Sequence, residues 1–133
     1  QSKAHARQIP VNAVVVTQAP RALMPLYISI GNATLFFIIP TFSKSASSPV
    51  KQAEAMAMGI PIVCNAGVGD TDEIVKDNGI VIDRLDAEGY ERAVQRLLTN
   101  DFSPAAIRRY AMQNLSLESA VERYLNVYKR IAS

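Results

Sequence analysis

The sequence predicts an α/β fold, a Rossmann-like parallel sheet flanked by helices. Three observations predict it. Four short β-rich runs are almost continuously apolar rather than alternating: "NAVVVTQ" (12–18), "ATLFFIIP" (33–40), "PIVCNA" (61–66) and "GIVID" (79–83). That is the pattern of strands buried on both faces. Helical segments separate the runs, so the connections read as right-handed βαβ crossovers. After the last run the pattern is wholly helical.

Taken in order, "QSKAHARQIP" reads as the tail of a helix entering the first strand. "PRALMPLYISIG" (20–31) starts at Pro20 and stops near Gly31. "PVKQAEAMAMG" (49–59) has Ser48 as N-cap, Pro49 at the first helical position and Gly59 as its stop. "DTDEIVKDNG" (70–79) opens with acids, capped by Asp70, and closes on Asn78-Gly79, which suits the helix dipole and a left-handed cap. Segment 86–100 carries Tyr90, Ala93, Val94, Leu97 and Leu98 at helical spacing. Ser103 and Pro104 start the next helix. Ser116 caps the last, whose stripe of Leu117, Val121, Tyr124, Leu125 and Tyr128 reads as core. Four strands are fewer than the roughly five or six of doubly wound domains. The reading is therefore a sheet lacking its first strands, with one raw edge, in a chain that starts at Gln1 rather than at methionine.

A length of 133 residues suits one domain over 1–133, closing with the helices of 86–132. Net charge is +2 with the basic residues scattered, which excludes the basic stripe of a nucleic-acid binder. The longest apolar runs are far too short to span a bilayer. Cys64 is the one cysteine, in an apolar stretch, so it reads as a buried, inert thiol. With His5 the one histidine, a zinc site has too few ligands, and no metal is expected.

In open α/β sheets, ligands bind beyond the carboxyl ends of strands. The run ending at Pro40 is followed by "TFSKSASS", a loop with Ser43, Ser45, Ser47 and Ser48, and then by a helix start. First-turn N–H groups have no intrahelical partner and attract anions. Lys51 stands in that turn, where it opposes the macrodipole by roughly 0.3–1 kcal/mol. A bound phosphate would reverse that sign. Glu54, three residues on, lies on the same side and can accept from two vicinal hydroxyls, as acids do with ribose. The simpler alternative is an exposed Lys51–Glu54 ion pair worth roughly 0.2–0.5 kcal/mol. The glycines of "GVGDTDEIV", Gly67 and Gly69, serve a strand-to-helix turn. Asp70, Asp72 and Glu73 serve as cap and dipole residues.

The stretch "SSPVKQAEAMAMGIPIVCNAGVGDTDEIVKDNGIVID" resembles the donor-binding, C-terminal domain of GT-B glycosyltransferases, especially family four (glycosyl transferases group 1). The likeness covers almost the whole chain, and "EAMAMGIPIV" is its most specific motif. It implies that Glu54 holds the donor's ribose. Ser47, Ser48 and Pro49 would receive the diphosphate, with Lys51 fitting a "Ser-Pro-x-Lys" variant. Thr17, Gln18 and Ala19 would lie near the base. Ala46 stands where the family places a first glutamate, which faces the transferred sugar. No catalytic residue is assigned.

The resemblance further implies a nucleotide diphosphate-sugar donor, UDP- or GDP-linked, and no cofactor. It implies a separate N-terminal acceptor domain, and a cytoplasmic parent, open to peripheral membrane association, in cell-envelope polysaccharide synthesis. The raw edge makes a homodimer an option. The chain alone is expected to be inactive. Three alternatives stay open: a nucleotide-sugar epimerase of the same fold, a noncatalytic or split donor-binding subunit, and an α/β interaction domain with Lys51 and Glu54 as surface residues.

Overall fold

The computed structural model describes residues 9–132. Three parallel strands, β1 (Thr34–Phe36), β2 (Ile62–Asn65) and β3 (Gly79–Ile82), form a sheet in the order β1-β2-β3. Leu35 lies opposite Val63, and Val63 opposite Ile80. Because side chains alternate, these three share one sheet face while Phe36, Cys64 and Val81 share the other. The expected α/β architecture is the one found.

Helices α1 (Met24–Ser29), α2 (Val50–Ala57), α3 (Thr71–Val75), α4 (Ala87–Thr99), α5 (Pro104–Asn114) and α6 (Leu117–Ile131) connect and follow the strands. On the Cys64 face, Ala55 and Met56 of α2, Ile74 and Val75 of α3, and Ile107 and Ala111 of α5 bury Ile62 and Cys64. On the other face, Ala93 of α4 covers Val63, Ile80 and Ile82. Each large side chain buried this completely contributes roughly 1.5–3 kcal/mol. Ser103 and Ser116 start their helices as expected, their hydroxyls accepting from Ala106 N and Ser119 N, and the Asp86 carboxylate caps α4 by accepting from Gly89 N. Gly59 ends α2 at φ 75°, the left-handed stop.

Several expectations are corrected. Run 12–18 is not a strand. Its start forms a 3-10 turn, Val11–Ala13, and irregular chain follows in which Val15 and Val16 are exposed. A strand needs a partner, and neither edge of the described sheet pairs with this run. The helix tail expected for the first ten residues falls mostly on 1–8, as do His5 and its neighbours, outside the described residues. Segment 20–31 opens as a 3-10 turn, Arg21–Leu23, before α1.

The third interstrand helix is also shorter than expected. Asp70 makes no side-chain cap. Gly79 is not a left-handed cap but the first residue of β3. It is glycine because a Cβ there would lie 2.1 Å from Ile62 O. The end of α3 is closed instead by buried Asn78, whose amide Nδ2 donates to Ile74 O at 2.9 Å.

The stripe of α6 is exposed rather than core. Leu117, Val121, Tyr124, Leu125 and Tyr128 all face solvent, and every residue from Val121 to the helix end is exposed. Only the first turns touch the body, where Ser119 and Ala120 are half-buried. In α4, Ala93 is buried while Val94 and Leu98 are open. Periodicity reports which face can be buried, not what buries it.

Candidate functional site

The site is built on the loops that follow β1 and β2. Past β1 the backbone is held by the Asn65 carboxamide, which accepts from Ile38 N at 2.7 Å and donates to Ile38 O at 2.8 Å. The serine-rich loop then folds on itself. Ser45 Oγ donates to Phe42 O at 2.7 Å, and Ser47 Oγ donates to Ser43 O at 3.2 Å, around a 3-10 turn, Lys44–Ala46. Its hydroxyl richness therefore serves local turns. Ala46 is exposed within that turn.

The loop after β2 packs against this one. Gly69, at φ 51°, sits so close that a Cβ would lie 1.8 Å from Ser47 O. Asp72 reaches back so that its carboxylate accepts from Gly67 N at 3.3 Å. The two glycines serve the turn and the close approach, as expected. Asp72, rather than Asp70, closes the turn.

Helix α2 begins one residue later than expected. Pro49 is its extended N-cap, and no side chain caps the first turn. The Ser48 hydroxyl instead accepts from Gln52 Nε2 at 3.2 Å. Helix geometry leaves the first-turn N–H groups without intrahelical acceptors. Around the helix, Gln52, Ala55 and Met56 are buried while Lys51 and Glu54 are exposed.

Lys51 and Glu54 do not pair. Among the described residues the ion pairs are Arg84–Asp86 and Arg92–Glu88. The alternative in which the two charges satisfy each other is therefore not realised. Ser47 is half-buried and Ser48 exposed beside the helix start.

Glu54 walls a cleft of about 370 Å³ between α1 and α2. Arg21, Met24, Pro25 and Ile28 form one side, and Glu54, Ala57 and Met58 the other. Lys51 and the Ser47–Ser48 pair do not line it, nor do Thr17 and Gln18. Those last two are exposed on irregular chain, with Thr17 Oγ1 donating to Gln18 O at 3.5 Å. Sequence reasoning misses two residues of note. Arg21 carries no signal beyond its charge, in a turn next to a proline. Gln52 is fully buried in the first turn of α2, with Oε1 lacking a partner among the described residues. Its place two residues before Glu54 on an otherwise small, apolar face is a legible signal.

Cys64 is fully buried in β2, as expected. Burial, with the Asp72 carboxylate adding to it, pushes the thiol up to about 12. It is a packing residue and not a nucleophile. No group of His, Cys, Asp and Glu that could hold a metal occurs among the described residues. No helix there is long and apolar enough to cross a membrane.

An open parallel sheet flanked by helices, with an uncapped helix start after β1 and an acid-walled cleft between α1 and α2, defines an α/β unit of the Rossmann-like class. The chain belongs to the glycosyl transferases group 1 family, whose model matches residues 4–100. It is also similar to the sucrose-phosphate synthase of Spinacia oleracea, with 36% identity over 81 residues. That match covers 60% of this chain and 8% of the synthase, so the chain corresponds to under a tenth of that relative's length. No solved structure matches significantly.

Proposed function

We propose that the chain is the donor-binding part of a glycosyltransferase that moves a sugar from a nucleotide diphosphate-sugar, UDP- or GDP-linked, to an acceptor. One observation carries the reading: Lys51 and Glu54 stand exposed and unpaired, a turn apart, at an uncapped helix start beyond β1. In this reading the first turn of α2, with Ser47, Ser48 and Pro49 around it, receives the diphosphate. Lys51 adds a positive charge there. The Glu54 carboxylate accepts from the two ribose hydroxyls. Thr17 and Gln18 lie toward the base.

The chemistry asked of these groups is modest. They fix the donor in place and stabilise the charge that builds on the departing diphosphate. No cofactor or metal is required. The acceptor would be held by a separate acceptor domain, so the chain alone transfers no sugar. The parent works in the cytoplasm.

Calorimetric titration with UDP and GDP tests the reading. Binding should be saturable and weakened at least tenfold in Glu54→Ala. Absence of binding to either nucleotide overturns it. Sugar transfer by the purified chain would overturn the assignment of the acceptor site to another domain.

Ala46 favours a second reading. The turn Lys44–Ala46 offers no carboxylate toward the sugar. A nucleotide-sugar epimerase of the same fold, or a noncatalytic donor-binding subunit, would bind the same nucleotide. Product analysis on the parent enzyme separates these outcomes.

A further inference from the structure

The cleft beside Glu54 contains a second charge that the donor-binding reading leaves without a task. Arg21 and Glu54 lie on opposite walls, each in the opening turn or two of its own helical segment. They form no ion pair with each other, and neither has a hydrogen-bond or ion-pair partner among the described residues. Between them the cleft is apolar, with Met24, Pro25, Ile28 and Met58 as its surface. A volume of about 370 Å³ is ligand-sized. Two unpaired opposite charges over an apolar floor ask for a flat group with donors at one end and acceptors at the other.

Resting on the donor-binding reading above, we infer that Arg21 is a specificity-determining residue that selects a base with an acceptor edge, guanine first. A nucleoside has the required polarity. Its ribose diol gives two donors to the Glu54 carboxylate. Its base lies flat against the methionines and proline. The guanidinium has donors only, in a rigid fork. Guanine presents O6 and N7 side by side, and both accept from that fork. Uracil presents single carbonyls and can take one bond at a time. Adenine places an amino donor where guanine has O6, so donor would face donor.

The test is calorimetric titration of this chain with GDP, UDP and ADP, in the wild type and in Arg21→Ala, Arg21→Lys and Glu54→Ala. The expected order is GDP, then UDP, then ADP. Arg21→Ala should lose about 5- to 150-fold in GDP affinity, the worth of a bidentate base contact, with ADP affinity unchanged. Arg21→Lys keeps the charge without the fork and should not restore the preference. Thermal melts confirm that each variant is folded. Glu54→Ala should weaken all three nucleotides alike. If Arg21→Ala keeps the wild-type order while Glu54→Ala loses binding, the Arg21 inference falls and the donor site stands. A wild-type preference for ADP also overturns the inference. If the wild type binds none of the three, both fall.

Discussion

The Asn65 side chain pairs with both backbone groups of Ile38, accepting from its N–H at 2.7 Å and donating to its C=O at 2.8 Å. The two residues are 27 positions apart, and Asn65 is almost fully buried. Beyond Phe36 the β1–β2 ladder has ended. A carboxamide has the donor and acceptor of a peptide unit, so Asn65 continues the ladder by one rung. That rung sets where the loop carrying the candidate site leaves the sheet.

Asn65→Ala should therefore destabilise the chain by roughly 1–3 kcal/mol, the cost of leaving partly buried backbone groups unpaired. Asn65→Asp should be worse near neutral pH, since a buried carboxylate can accept from Ile38 N but cannot donate to Ile38 O. Urea denaturation measures both. A shift of the midpoint with unchanged slope is the expected form. Wild-type stability in Asn65→Ala would mean that the rung is incidental.

Glycines give a sharper steric forecast. A Cβ on Gly69 would lie 1.8 Å from Ser47 O, and one on Gly79 would lie 2.1 Å from Ile62 O. Neither obstacle is a flexible side chain. Gly69→Ala should splay the two site loops apart, and Gly79→Ala should break the β2–β3 pairing. Gly31 is the control, since its nearest such contact is an ordinary 3.4 Å. Thermal melts should show large losses for the first two, and for Gly31→Ala a change within about 1 kcal/mol.

These residues also show what can be read in advance. Three of the four apolar runs form strands, but burial on both faces is complete only in β2, at Ile62, Val63 and Cys64. Edge strand β1 is confined to Thr34–Phe36 and leaves Leu35 exposed, so the run 33–40 is not the doubly buried strand its composition predicts. The fourth, 12–18, has the same composition and fails for want of a neighbour to pair with. The site loop's position after β1 is legible from the run of small residues ending at Pro49. The cleft shared by Arg21 and Glu54 is not, because it depends on how α1 settles against α2. The exposed stripe of α6 escapes sequence reasoning for a related reason. A pattern such as Leu117, Val121 and Tyr124 specifies a face but names no covering surface.

Cys64 makes alkaline stability a test of burial. Its thiol is pushed from 9.0 up to about 12 in the folded chain, by burial first and by Asp72 second. Between those values the unfolded chain releases the proton and the folded chain holds it. Stability from this group is therefore intact below about pH 9 and falls as pH rises toward 12. The slope is at most about 1.4 kcal/mol per pH unit. Chemical denaturation across that window should show a steeper decline in the wild type than in Cys64→Ala, once their different starting stabilities are subtracted. Equal slopes would mean that the thiol is not held protonated. Alkylation by iodoacetamide at about pH 8 should likewise be slow until the chain is unfolded.

Lys51 permits a prediction in which stability and binding move in opposite directions. In the unliganded chain it stands in the first turn of α2, with no side-chain cap and no ion pair to Glu54. There it opposes the helix dipole, and Lys51→Glu should raise stability by roughly 0.3–1 kcal/mol or somewhat more, since one charge is removed and a favourable one added. With a nucleoside diphosphate the order should invert. The wild type should gain stability as ligand is added, in proportion to the logarithm of its concentration over Kd. Lys51→Glu should gain little, because its new carboxylate repels the diphosphate, and Lys51→Ala should fall between. Thermal melts with and without GDP or UDP supply all the values. If Lys51→Glu gains as much from the nucleotide as the wild type, the diphosphate does not sit at this helix start, even if Glu54 still proves essential for binding.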